Sequence, residues 1–355
     1  VMAGGEQLAA ERRGRSSRLI GGTHGRWVDM DEVVWGILGC GDVTEVKSGP
    51  AFARIPKSRV GAVMRRNGAK AADYARRHGV PRWYDSVDAL LGDPEVNAVY
   101  IATPTNTHLP LTLEVLASGR PALVEKPMAM DGAEATRMME AAERAGLPLF
   151  VAYYRRALPR FEALRDVVQG GRLGDVRAVT MRHLRPGHHA PRQAWKLEPA
   201  INGGGLFVDV QVHTFDWLDH CFGPPADVLG LVRRVGGGPS EDLVAYTLGW
   251  SEGMVANGLY CFGAGPEDEW VAIHGSEGTA TMSFFKDEAT SVTFNDGRIE
   301  RIERPDPPHV HEPLVARIVE QLRGGRPAPS RAVDAARTTQ LIDRLYAVYR
   351  AADVS

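Results

Sequence analysis

The sequence predicts an α/β protein: an N-terminal doubly wound parallel sheet, then an α+β domain with a large, mostly antiparallel, open-faced sheet. Three observations carry this. The stretch Val33-Val34-Trp35-Gly36-Ile37-Leu38-Gly39-Cys40-Gly41-Asp42 reads as a buried strand that turns at two glycines into a helix. Strand and helix then alternate to about residue 154, as right-handed parallel crossovers require. Beyond 155, short strands follow one another with tight-turn signals between several of them.

In order, Asp42 to Phe52 reads as helical, broken or kinked at Gly49-Pro50. Arg59 to Met64 is a strand, and Gly68 to His78 an Ala- and Arg-rich helix ended by Gly79. Ser86 to Leu91 is helical, with Ser86 or Asp85 as cap. Ala98 to Ala102 is a strand, Leu109 to Ser118 a helix, and Ala122 to Val124 a strand. Ala133 to Ala145 is a helix and Leu149 to Val151 a strand. In the second half, Phe161 to Gln169 and Gly205 to His220 are helices. Strands are expected at 176–182, 226–234, 243–250, 254–261, 269–274, 279–284, 291–295 and 299–301. Leu314 to Leu322 and Val333 to Ala351 close the chain as helices. The expected division is an extension over 1–30, domains over 31–154 and 155–330, and a closing helix over 331–355.

With 355 residues and a net charge of −2, nothing suggests a nucleic-acid surface or an acidic tail. Cys40, Cys221 and Cys261 form no C-x-x-C pair and no disulfide framework, which fits a reducing, cytoplasmic setting. No apolar run is long enough for a membrane span. Residues 1–29 are arginine-rich without an apolar core, unlike a secretory signal, and Met30 is an alternative start.

The chemistry-bearing residues fall into four groups. Gly39 suits a tight turn, Gly41 has no Cβ to block a ligand, and the helix starting at Asp42 and Val43 aims free N–H groups at the gap beside Cys40. A pyrophosphate fits there, although Thr44 stands where the full dinucleotide fingerprint has Gly or Ala. The second strand ends in Arg65-Arg66, not in an acid, which favours a 2′-phosphate and hence NADP, with NAD possible. Lys126, in Glu125-Lys126-Pro127, ends a parallel strand, where ligands of such sheets lie; its ammonium can stabilise an alkoxide, and Pro127 restricts its backbone. Asp209 and His213 follow Gly203-Gly204-Gly205 four residues apart, hence on one helix face. His213 suits proton transfer near neutrality, and Asp209 can orient it, bind a hydroxyl or keep Lys126 charged. Asp219 and His220 lie outside the site.

These motifs, with Ala102-Thr103-Pro104, Asn106 and His108 between them, occur in one order from Asp31 onward. In that order the chain resembles the family of glucose-fructose oxidoreductase and inositol 2-dehydrogenase. The resemblance implies a Rossmann domain, a nicotinamide cofactor, and redox chemistry at a carbon of a sugar, cyclitol or related polyol. It implies that Thr103, Pro104, Asn106, His108, Glu125 and Lys126 line the cofactor, that Lys126, Asp209 and His213 are catalytic and touch the substrate, and that the second sheet pairs subunits into a homodimer or homotetramer. A redox-neutral glycosidase and a non-catalytic sensor on the same fold are the alternatives.

Tyr153-Tyr154-Arg155-Arg156 leaves the last parallel strand near the cleft; Arg156 is taken as the substrate-binding arginine. His188, His189, Gln193, Trp195 and Lys196 read as a polar loop with one aromatic wall, suited to a polyol, with a plain surface loop as the other reading. His183, His188 and His189 lack metal-ligand spacing, and His309 and His311 read as loop histidines, so no metal is expected.

Overall fold

The computed structural model describes residues 30–186 and 191–352. The strands form two sheets, one of six strands and one of eight. The first is all parallel, and its strands are apolar because both faces are covered. In chain order it contains β1 (Val33–Leu38), α1 (Asp42–Val46), α2 (Gly49–Arg54), β2 (Ser58–Met64), α3 (Gly68–His78), β3 (Arg82–Tyr84) and α4 (Val87–Leu91). It continues with β4 (Ala98–Ile101), α5 (His108–Ala117), β5 (Ala122–Val124), α6 (Gly132–Ala145) and β6 (Leu149–Val151). The strand order β3-β2-β1-β4-β5-β6 reverses direction of growth at β1, which puts a crevice beyond the carboxyl ends of β1 and β4.

The helical stretch over 42–52 is broken at Gly49-Pro50 into two helices, as expected, because Pro50 has no N–H to give and its ring crowds the preceding turn. One detail differs from expectation. Arg82–Tyr84 is a further strand; three residues at a sheet edge carry too little periodicity to be read from sequence.

The second half contains α7 (Pro159–Gln169), β7 (Val176–Arg185), α8 (Pro199–Asn202) and α9 (Leu206–Phe222). Then come β8 (Asp227–Arg233), β9 (Leu243–Gly249), β10 (Val255–Phe262), β11 (Asp268–Gly275), β12 (Gly278–Met282), β13 (Thr290–Phe294) and β14 (Ile299–Ile302). They form one sheet in the order β14-β13-β12-β11-β7-β10-β9-β8. All neighbours are antiparallel except β7 and β10. The exception follows from connectivity: β7 is followed by the long α9 crossover, not by a hairpin, so it inserts in mid-sheet.

One face of this sheet packs on α9, where Phe207 and Phe215 meet Tyr246 and Tyr260 edge-on. The other face is bare and presents Leu229, Leu231, Val255, Leu259 and Ile299. The chain then returns. α10 (Glu312–Leu322) buries Leu314, Ile318 and Leu322 in the same core as Trp35, Phe52 and Tyr100 beneath the parallel sheet. α11 (Ala332–Ala352) packs between α6, α9 and β8, where a Cβ on Gly230 would lie 2.3 Å from Leu345 Cδ1. No helix among the described residues is long and apolar enough to cross a membrane.

Candidate active site

The glycine turn has the conformation its sequence implies. Gly39 has φ +91°, and a Cβ there would lie 2.7 Å from Thr103 Cγ2, so neither the backbone nor the space admits a side chain. At Gly41 a Cβ would meet nothing nearer than Gly39 O at 3.9 Å, which leaves the approach to the α1 N–H groups open. A dinucleotide pyrophosphate fits that cradle. Thr44 fits in place of the third glycine because its hydroxyl donates to Gly41 O at 2.8 Å and its side chain is buried. Close packing falls to Gly49, where a Cβ would lie 2.1 Å from Thr44 O and 2.5 Å from Tyr74 Oη. The Cys40 side chain points into the core, so only its backbone faces the crevice. Asp42 and Val43 open α1, and Arg65 closes β2 beside the turn, donating from Nη1 to Cys40 O at 3.3 Å. Arg66 is exposed.

Beyond β4, Thr103 packs against Gly39, while Pro104 and Asn106 are exposed on the rim. His108 is placed differently from expectation. It is buried, with ring nitrogens 2.9 Å from Pro127 O and 2.9 Å from Thr103 O. It braces two loops and offers no surface to a cofactor. Burial pulls its pKa down.

Glu125 is a brace as well. Its buried carboxylate accepts from the Tyr100 hydroxyl at 2.5 Å and the Lys126 backbone N–H at 3.2 Å, and sits 3.2 Å from His311 Nε2. Burial would raise its pKa, but His311, then Tyr100 and the Lys126 charge, hold it down to about 2. The Lys126-Pro127 peptide is cis.

Lys126 crosses to the second half of the molecule. Its Nζ donates to Asp209 Oδ1 at 2.9 Å and to Asp209 O at 2.6 Å. Lys196 Nζ reaches the same carboxylate at 2.9 Å from Oδ2. Burial opposes ionisation of Asp209, yet the charges of Lys126 and Lys196 pull its pKa well below the usual carboxylate range. Asp209 therefore serves two ammoniums, not His213. His213 has no hydrogen-bond partner among the described residues, and its buried Nδ1 is unsatisfied. Its ring is held edge-on by Tyr153 and Tyr154, with centroids at 6.0 and 4.9 Å. Burial, then the charges of Arg155, Lys126, His311 and Lys47, depress its pKa well below the ordinary value. At neutral pH it is an uncharged imidazole able to accept a proton.

Trp195 lies on the rim, 37% exposed, with Lys196 Nζ 5.7 Å from its ring centroid. His188, His189 and the residues before Met30 lie outside the described residues, as does the side chain of Gln193. Among the described residues no group of His, Cys, Asp and Glu could hold a metal.

Arg156 corrects the sequence reading. It is 3% exposed and ion-paired with Asp216 at 2.8 Å, Asp219 at 3.5 Å and Asp334 at 3.5 Å. With its fork turned inward, it has nothing to offer a substrate. Sequence reasoning also missed three contributors. Lys196 was seen only as loop polarity, His311 only as a loop histidine, and Tyr100 only as a strand residue. Each acts through a fold contact between distant segments, and no local pattern announces that.

Burial has a measurable pH consequence. His183 and His220 are held to about 4, chiefly by burial, and burial depresses His213 as well. Between pH 6.5 and 4 the unfolded chain binds these protons and the folded chain does not, so stability falls as pH falls. Asp216, pushed up to about 7 by burial, works the other way, as do Glu241 and Asp306, raised by burial, against four depressed histidines with His108 included. The urea midpoint is expected to be lower at pH 5 than at pH 7, and His183→Phe should flatten that dependence. A midpoint that rises on acidification contradicts the balance.

Residues 33–153 match the model described as oxidoreductase family, NAD-binding Rossmann fold, and residues 161–281 match the GFO/IDH/MocA C-terminal domain. Oxidoreductase P35 of Formosa agariphila is 32% identical over 313 residues, covering 87% of this chain and 97% of its own. The 1,5-anhydro-D-fructose reductase of Ensifer adhaerens is 28% identical, covering 83% and 90%. The structure of aldose-aldose oxidoreductase from Caulobacter crescentus complexed with glycerol superposes with a TM-score of 0.80 at 25% identity, over 91% of this chain and 98% of that one. Sheet order, glycine cradle and matched models agree: this chain belongs to the Gfo/Idh/MocA family, as an oxidoreductase with an NAD(P)-binding Rossmann domain.

Proposed function

We propose that the enzyme interconverts a carbinol and a carbonyl on a sugar, cyclitol or related polyol, with NADP preferred over NAD. The observation that carries this is one arrangement: Lys126 at the end of β5, clamped by Asp209, with an uncharged His213 one helical turn away on α9. The nicotinamide, when bound, supplies hydride acceptance and donation. The chain's own residues handle the oxygen and its proton. Lys126 donates a hydrogen bond to the reacting oxygen and stabilises negative charge on it. His213 takes the hydroxyl proton in oxidation and returns it in reduction. Asp209 keeps the ammonium charged and aimed. The named relatives include a reductase and an aldose-aldose oxidoreductase, which favours net redox over the glycosidase and sensor alternatives.

The test is nicotinamide absorbance with a panel of polyols and ketoses. No absorbance change with any member, in either direction, would sink the reading. Arg65→Ala with Arg66→Ala addresses the cofactor. Losing charge-assisted contacts to a 2′-phosphate is expected to weaken NADP about 10- to 100-fold while NAD changes little. Equal weakening of both refutes the clamp.

The bare sheet face is the basis for a homodimer or homotetramer. Leu229 and Leu231, 71% and 57% exposed, with Val255 and Leu259 make an apolar surface that a second copy would cover. The three free cysteines fit a reducing, cytoplasmic location.

A further inference from the structure

Arg155 and Arg156 are neighbours with opposite fates. Arg156 has three carboxylates, whereas Arg155, only 6% exposed, has none within ion-pair distance among the described residues. Buried cations are almost always paired, so a buried guanidinium without an acid calls for an explanation. Its faces are taken by rings: Tyr154, Phe161, Phe284 and Phe285 lie 5.1, 5.7, 5.1 and 4.8 Å from Cζ. Nε donates to Phe284 O at 3.3 Å, and Nη1 donates to Tyr154 Oη at 3.0 Å. A guanidinium has five N–H groups, so its remaining edge keeps donors without a partner among the described residues.

Arg155 lies beside the reacting groups. The Tyr154 ring that contacts Arg155 also contacts His213, and the Phe285 ring lies 4.7 Å from His183. The charges that act most on His213 are Arg155, Lys126, His311 and Lys47; those on His183 are Arg185, Arg155 and Lys286. All are positive. The acids nearby are already used: Asp209 by two lysines, Glu125 by His311, Asp306 by Arg160, and Glu269 by the Ser283 hydroxyl and the Phe284 N–H. Cofactor phosphates do not supply the missing charge. They belong beside the turn after β1, whereas Arg155 follows β6, three strands away in the sheet and so roughly 14 Å off.

We propose that the sugar-like substrate of the reaction above carries a carboxylate, bound by the free edge of Arg155 between His213 and His183, so that sugar acids are used in preference to neutral sugars. The inference rests on that reaction for its turnover arm and on Arg155 alone for its binding arm. A carboxylate's two oxygens match two of the three donors left, parallel N–H groups of one fork.

The experiment compares the full-length enzyme with Arg155→Gln and Arg155→Lys, each saturated with NADP or NAD. The probes are D-glucuronate, D-galacturonate and D-gluconate, set against D-glucose, D-galactose, sorbitol and glucose 6-phosphate. Thermal shift reads binding and nicotinamide absorbance reads turnover. The acids are expected to raise Tm, and their kcat/KM should exceed that of the neutral sugars. Arg155→Gln should cut the acid-to-neutral ratio by about 10- to 100-fold, through KM for the acids, with Arg155→Lys between the two. A neutral or phosphorylated sugar preferred over the acids overturns the proposal. So does a ratio unchanged in Arg155→Gln, which would make Arg155 a structural plug, and so does failure of every acid to bind. Turnover of neutral polyols alone sinks this inference and leaves the reaction standing. Acids that bind through Arg155 with no absorbance change uphold the inference and sink the reaction.

Discussion

Lys126→Ala is expected to lower kcat by about 1,000-fold while nicotinamide nucleotide binding stays within a few-fold of wild type. Removing one donor aimed at a developing oxyanion costs about 100- to 1,000-fold in other enzymes, and here the donor is also a full charge. The variant should fold. Asp209 keeps Lys196 at 2.9 Å, so its buried carboxylate is not orphaned. Nucleotide binding should survive because the cradle at Gly39 and Gly41 is built from other strands. Steady-state kinetics with a nucleotide titration separates the two effects. A kcat within tenfold of wild type would remove Lys126 from the chemistry, and with it the proposed reaction.

Arg156→Ala should destabilise the fold by about 3–5 kcal/mol, the usual result of leaving a buried charge without its partner. Asp219 and Asp334 retain Arg337, at 2.7 and 2.9 Å. Asp216, buried on α9, loses its only cation among the described ion pairs. Its pKa is already pushed up to about 7 by burial, against the pull of Arg156. Without the arginine it escapes the penalty by taking a proton, so the loss should be smaller at pH 6 than at pH 8. Urea denaturation at both pH values tests this. Arg156→Met with Asp216→Leu, which exchanges the pair for apolar bulk, should lose much less than Arg156→Ala alone. Equal losses would show that packing, not charge, is what Arg156 supplies.

The legible part of this protein was what local patterning encodes. The parallel half announces itself because its strands are continuous apolar runs and its helices are capped: Asn67 and Asp131 cap α3 and α6, and Gly79 and Gly146 end them. Gly39, Gly41, Lys126, Asp209 and His213 could be singled out because each sits at a fixed offset from a strand end or glycine run. The choice between Arg155 and Arg156 could not be made that way. The two are adjacent, and only the arrival of Asp216, Asp219 and Asp334 from other helices separates them. His108 and Glu125 were read as cofactor contacts because they flank such contacts; burial turns them into braces. Lys196 shares Asp209 with Lys126 only because α8 and the turn before it fold back onto α9, where Asn202 Nδ2 donates to Lys196 O at 3.3 Å.

His311 is the N-cap residue of α10, and its pairing with Glu125 spans 186 positions of sequence. During synthesis the first half can collapse as a unit well before that histidine leaves the ribosome. Until then Glu125 is a buried acid without its His311 partner, so its neighbour Lys126 is not yet held in working position. The nascent enzyme is thus expected to gain competence late, and a chain stopped short of residue 311, which also lacks the α10 side chains that complete the core around Trp35, Phe52 and Tyr100, should be inert.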